Sequence, residues 1–107
     1  MILVTTENVS GFKAQTLGIV QGNMVQTKNF GHDLGASFKT LVGGELRAYT
    51  DMMNEARDEA TKRMIDQAAG MGADAIVCVR YASSAIMQGA AEVIAYGTAV
   101  KLVPENQ

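Results

Sequence analysis

Between residues 45 and 69 the apolar positions fall three and four apart. Tyr49, Met52, Met53, Ala56, Ala60, Met64 and Ala68 recur at that step, which lines them up on one stripe of an α-helix. Asp51, Glu55, Asp58, Glu59, Lys62 and Asp66 lie opposite. Asp58 with Lys62, and Glu59 with Arg63, stand four apart with the acid first, the favourable order for a helical ion pair. Gly70 or Gly72 then supplies a left-handed stop. At about 1.5 Å per residue the helix is about 38 Å long. A rod of that length must cross a sheet diagonally or overrun its edge.

Elsewhere the pattern is extended. Ile2 to Thr5 reads as a short strand. Ala14 to Asn29 reads as a longer, bent one, in which Gly18 and Gly22 mark bulges or close backbone approach. His32 to Val42 suits a short helix with Asp33 as its N-cap. After the long helix, "ADAIVCVRYASSAIM" and "AEVIAYGTAVKLV" read as two strands of a hairpin joined at Gln88 to Ala90. If that loop sets the register, Cys78 faces Val100 and Tyr81 covers Gly97, an aromatic shielding a cross-strand glycine. The predicted fold class is α+β: an antiparallel sheet with one long helix packed across one face.

The hairpin is apolar on both sides. One face would carry Ile76, Cys78, Ile94, Tyr96, Val100 and Leu102. The other would carry Val77, Val79, Tyr81, Val93, Ala95, Gly97, Ala99 and Val103. A sheet with one wet face alternates apolar and polar residues, and this one does not. One helix covers one face, and the sequence offers no second long helix for the other. A patch of that kind marks an interaction surface, and a second copy of the chain is the simplest cover. Val77, Val79, Tyr81, Val93, Ala95, Gly97 and Ala99 are therefore the candidates for either core or subunit interface.

Composition narrows the options. The 107 residues suit a single domain, 1–107, with a polar tail from Pro104 to Gln107 expected to fray. The net charge is −2 and no basic run occurs, so neither a nucleic-acid nor a polybasic membrane partner is expected. "MILVTTENVSG" lacks the cationic leader and long apolar run of a signal peptide. No apolar stretch approaches the roughly 20 residues that span a bilayer. The single cysteine cannot form an internal disulfide, which fits a cytoplasmic protein.

Four segments, "GIVQGNMV", "LVGGELRAYT", "EARDEATKRMIDQAAGMGADAIVCVRY" and "AAEVIAYGTAVKL", together resemble the YbjQ-like family of uncharacterised, mostly bacterial proteins. That family is often labelled as heavy-metal-binding. The "GADAIV" and "GTAVKL" blocks carry most of the specificity, through their order and distance. The resemblance implies a dodecin-subunit-like protomer and a pentameric ring in which short extra strands join neighbours. It implies no established activity. The family commonly has arginine after the paired glycines, whereas this chain has Glu45, with Arg47 two places on. An anion-binding role for that arginine does not carry over.

The chemistry-bearing residues are few. Cys78 could be a soft-metal ligand or reactive thiol, with Arg80 on its strand face, but Ile76 and Val100 would surround it with hydrocarbon. Packing is the favoured reading. Zinc sites usually draw four ligands from Cys, His and carboxylates. This chain has one Cys and one His, far apart. Within one chain, His32, Asp33 and Cys78 are weak metal candidates. A ring could still gather copies of His32 or Asp33 around a possible soft divalent metal; no cofactor is otherwise expected.

"GMGADA" has the form of a dinucleotide fingerprint but ends a helix, where the true motif opens one. "VGGE" precedes a helix, yet Glu45 would repel a phosphate there. Ser83 or Ser84 with His32 and Asp33 lacks any known nucleophile motif. Met52, Met53 and Met64 read as core filler. The expected function is a non-catalytic homo-oligomer acting as a scaffold or small-ligand binding module. The alternatives are a metal-binding or metal-responsive module with interface sites, and an enzyme using Arg80, Tyr81 or Tyr96 in an inter-subunit cleft.

Overall fold

The computed structural model describes residues 1–27, 44–87 and 89–106. The chain runs β1 (Ile2–Leu3), β2 (Phe12–Thr27), α1 (Gly44–Gly70), β3 (Ala75–Met87) and β4 (Ala90–Pro104). The strands form one sheet in the order β1-β3-β4-β2. β4 is antiparallel to both β3 and β2, and β1 adds in parallel to the foot of β3. The α+β fold is thus as the sequence suggests, except that the sheet is mixed rather than wholly antiparallel. The short helix and Asp33 cap expected between residues 32 and 42 lie outside the described residues.

The stripe predicted on α1 is the buried one. Ala56, Ala60, Met64 and Ala68 are buried against Val20, Ile76, Val79, Val93, Ala95 and Ala99 of the sheet, with Met53 packed beside them, and Met52 is buried too. The helix packs mainly on β2 and β4. It runs along β2 in the opposite direction rather than crossing diagonally. Gln67 Oε1 accepts from the Gln21 amide at 2.7 Å, Arg63 Nη1 donates to the Asn23 carbonyl at 2.7 Å, and Gln26 Nε2 donates to Glu55 Oε2 at 3.4 Å. Gly22 allows this approach. A Cβ there would overlap the Ala60 carbonyl oxygen and the Met64 nitrogen and would sit 2.8 Å from the Arg63 Cβ. α1 ends where Gly72 turns left-handed (φ +80°), letting the Gly72 and Ala73 amides donate to the Ala69 and Ala68 carbonyls at 3.0 Å each.

The hairpin register differs from the expected one. Tyr81 faces Ala95, not Gly97, and Arg80 faces Tyr96. The cause is a bulge. Val77 pairs with Thr98 and Arg80 with Tyr96, so Cys78 and Val79 together oppose Gly97. Cys78 adopts φ 54° to make the turn. It therefore does not pair with Val100. The extra residue also changes the parity of the strand. Ile76 joins Val79 in the cluster under α1, while Val77 joins Ala75 and Val100 in a second cluster on the opposite face. The two face sets read from strict alternation are thus wrong at Ile76 and Val77. Gly97 is kept small by the bulge itself: an added Cβ would lie 2.8 Å from Ile76 Cγ2 and 3.0 Å from the Val77 carbonyl oxygen.

The second face is partly covered by this chain. Val4 and Val9 pack on the cluster of Ala75, Val77 and Val100, beside Cys78 and Leu102. The bulge holds that segment in place. The Cys78 amide donates to the Thr6 carbonyl and the Val79 amide to the Val4 carbonyl, each at 3.0 Å. Arg80 Nη1 donates to the Thr5 carbonyl at 3.0 Å. The expectation that nothing in the chain roofs this face is corrected at its lower end. The C-terminus is also held further than expected: Pro104 pairs with Phe12, and the Glu105 amide donates to the Gly11 carbonyl at 3.1 Å.

Gly22→Ala should lower the unfolding free energy by at least about 2 kcal/mol, since the methyl group meets helix backbone rather than a side chain that can swing away. Urea unfolding at fixed protein concentration checks this; an unchanged midpoint would mean that α1 does not sit so close.

Candidate functional site

The polar candidates do not converge. Cys78 is half-buried among aliphatic side chains, with its amide committed to Thr6. Among the described residues, no three of His, Cys, Asp and Glu come together as a ligand set. One thiol in a hydrocarbon cluster does not fit a soft cation, which needs several donors. His32 and Asp33 lie outside the described residues, as does the Glu45 side chain, so the nucleophile and helix-start anion arrangements fall outside them too. Ser83 and Ser84 sit within β3, opposite Val93 and Glu92. "GMGADA" closes α1 and leads into β3, the reverse of the dinucleotide order.

Arg80, Tyr81 and Tyr96 are split by the sheet. Arg80 holds the N-terminal segment. Tyr81 turns to the helix side, where its hydroxyl lies 2.9 Å from Thr61 Oγ1. Tyr96 alternates with the buried Ala95 and Gly97, so it points to the opposite face, 42% exposed. The core and interface candidates sort in the same way. Val79, Val93, Ala95 and Ala99 lie in the cluster under α1. Gly97 is buried against Ile76, and Val77 lies in the second cluster.

The sheet's free surface is more informative. β2 has sixteen residues with β4 on one side and, among the described residues, no strand on the other. β3 is covered at its foot by β1 and the segment after it, but from Arg80 to Met87 its outer edge is open among the described residues. Edge strands are normally blunted by charges or proline. β2 carries one charge of its own, Lys13, with Arg63 of α1 reaching the Asn23 carbonyl, and β3 from Arg80 to Met87 carries one, Arg80, which is turned to Thr5; neither has proline. On β2, beside the Val4–Val9 cover, Ile19 is 79% exposed, and Val25, Ile86 and Tyr96 are exposed too. That stretch is mixed rather than wholly apolar: Asn23 Nδ2 donates to Glu92 Oε2 at 3.3 Å within it. Ile19 and Val25 fall at every-second positions of β2, a pattern that the two intervening polar residues, Gln21 and Asn23, hide in the sequence.

Comparison with known proteins places this fold in a family. A family profile described as "Putative heavy-metal-binding", YbjQ, matches residues 1–103. The chain belongs to the YbjQ-like family. A UPF0145 protein of Thermosipho africanus is 57% identical over 108 residues, covering 100% of both chains. One of Alkaliphilus metalliredigens is 61% identical over 103 residues, covering 96% of this chain and 100% of its own. The crystal structure of a protein of unknown function from Pediococcus pentosaceus shares the fold, with a TM-score of 0.70 at 16% identity over 96% of this chain and 98% of that one. None of these relatives bears an enzyme's name. No helix among the described residues of this YbjQ-like chain is long and apolar enough to cross a membrane.

Cys78 has a testable structural role. A β-branched residue is strained at its left-handed backbone angle, so Cys78→Val should destabilise the YbjQ-like fold by about 1–2 kcal/mol. Cys78→Ala should cost less than about 1 kcal/mol. Equal unfolding midpoints for the two variants would count against the bulge.

Proposed function

We propose that the chain is one subunit of a cytoplasmic homo-oligomeric ring, a non-catalytic scaffold or small-ligand binding module. The observation that carries this reading is the pair of long edges on one sheet that, among the described residues, no further strand pairs, although Gln67 and Arg63 of α1 take the Gln21 amide and the Asn23 carbonyl on one of them. The edges differ: β2 on one side, the upper half of β3 on the other. Joining unlike patches is a head-to-tail contact, which closes into a ring when the rotation per subunit divides a full turn. A count of five comes from the family resemblance. The shape supports association as well. The described residues measure 61 × 22 × 15 Å with a radius of gyration of 17.5 Å, against about 13 Å for a compact domain of about 100 residues.

The family's description favours a second reading, a metal-binding or metal-responsive module whose sites form between subunits. Symmetry would then have to assemble copies of His32 or Asp33, since Cys78 stands alone among aliphatic groups. Elemental analysis of gently purified protein separates the two. Stoichiometric zinc or copper, lost in His32→Ala, supports the metal module; a metal-free particle that stays flat on titration removes it.

Ile19 lies on β2 and is 79% exposed in a single chain. For a monomer, Ile19→Lys should change stability by no more than about 0.5 kcal/mol. In the assembly we expect it to lower the sedimentation coefficient while leaving the helical circular dichroism intact. An unchanged coefficient would remove this patch from any interface.

A further inference from the structure

The space between α1 and β3 holds a cleft of about 160 Å³ lined by Met53, Arg57, Tyr81, Ala82, Ser83 and Val93. We propose that it binds a small organic anion, a carboxylate on a compact apolar body, with the Arg57 guanidinium as its charge partner. This deepens the small-ligand part of the function proposed above and does not depend on the number of subunits.

Three observations lead there. First, Arg57 has no acid in reach on its own helix. The positions three and four residues away are Met53, Asn54, Ala60 and Thr61, and these are the ones whose side chains could meet it. Its guanidinium makes no ion pair among the described residues. β3 offers no carboxylate from Tyr81 to Met87. The acid on the paired strand, Glu92, is engaged with Asn23; it alternates with the buried Ala91 and Val93 and so points to the other face. Arg63, by contrast, has Glu59 at 3.3 Å.

Second, the hydroxyls beside Arg57 are oriented. Thr61 Oγ1 donates to the Arg57 carbonyl at 2.7 Å. Its single hydrogen is thereby used, so the 2.9 Å contact with Tyr81 must have the tyrosine donating. The Tyr81 hydroxyl is thereby committed to Thr61, and its side chain lines the cleft. Ser83 lines the same space and has a hydroxyl that can donate to an anion. A carboxylate can take two hydrogen bonds from the guanidinium fork and one from Ser83.

Third, the remaining walls are Met53, Val93, Ala82 and the Tyr81 ring, so the body of the ligand is apolar. A space of this size suits a single ring: an engineered cavity of about 150 Å³ holds benzene. Apolar walls with a few placed polar groups are the usual make-up of a small-molecule site.

The test uses the native assembly with benzoate, phenyl phosphate and neutral benzamide as probes, read by titration calorimetry and by the methyl resonances of Met53 and Val93. Benzoate should saturate one site per chain with a dissociation constant of about 1 mM or tighter. Benzamide, alike in shape but uncharged, should bind at least about tenfold more weakly. Arg57→Gln should weaken benzoate about tenfold and Ser83→Ala a few-fold, while Arg57→Lys, with charge but no fork, falls between wild type and Gln. Non-saturating shifts, or unchanged affinity in Arg57→Gln, would overturn the proposal. Binding of phenyl phosphate alone would overturn the carboxylate assignment. Light scattering on the same sample reads the assembly separately, so a failed titration by an intact oligomer counts against the cleft and not the ring.

Discussion

Gly22 has no side chain, and the backbone of α1 at Ala60 and Met64 occupies the space one would take. That contact seats the helix over β2 and β4, where Ala56, Ala60 and Ala68 keep the approach short. Much of the layout follows. A helix drawn toward β2 leaves the upper part of β3 thinly covered, which is where Tyr81 reaches across to Thr61 and the Arg57 cleft opens. It also commits the long apolar stripe of α1 to one face. The other face must be closed by something else.

The closing piece is local. At Cys78 and Val79 the strand carries one residue too many, and both amides turn outward to the Thr6 and Val4 carbonyls. A straight strand would give only every second amide to that side. The bulge thus ties the N-terminal segment to the sheet, lays Val4 and Val9 over the lower second face, and moves Ile76 beneath the helix. The lone cysteine serves this geometry, with its thiol half-buried beside Val77 and Val100. Beside that cover, Ile19, Val25 and Tyr96 stay exposed.

Periodicity made the helix legible almost to the residue, because its stripe is long and its glycine stop follows at once; 45–69 was expected and Gly44–Gly70 is found. Gly18 and Gly22 were readable for a similar reason: glycine in a strand has few other uses. Gly18 follows a slip in register and Gly22 meets the helix. The hairpin register was not legible. "IVCVRY" alternates without a gap, and nothing in its residue types announces a bulge, since cysteine seldom takes a positive φ. The cover from Val4 and Val9 was hidden in "VTTENVSG", whose apolar residues are too few to show a pattern. Arg57 was passed over because an arginine on a helix's polar face looks like any solvated charge until the opposite strand is placed.

An apolar second face alone would no longer require a partner, because part of it is roofed by the chain itself. What remains, among the described residues, is the pair of edges that no further strand pairs and the patch beside them, which we propose other copies of this chain cover. The molar mass of the wild-type particle by multi-angle light scattering, measured across micromolar concentrations, tests it most directly. The account predicts a single whole-number multiple of 11.4 kDa that does not drift on dilution. A particle of one chain's mass, well behaved at every concentration, would contradict it.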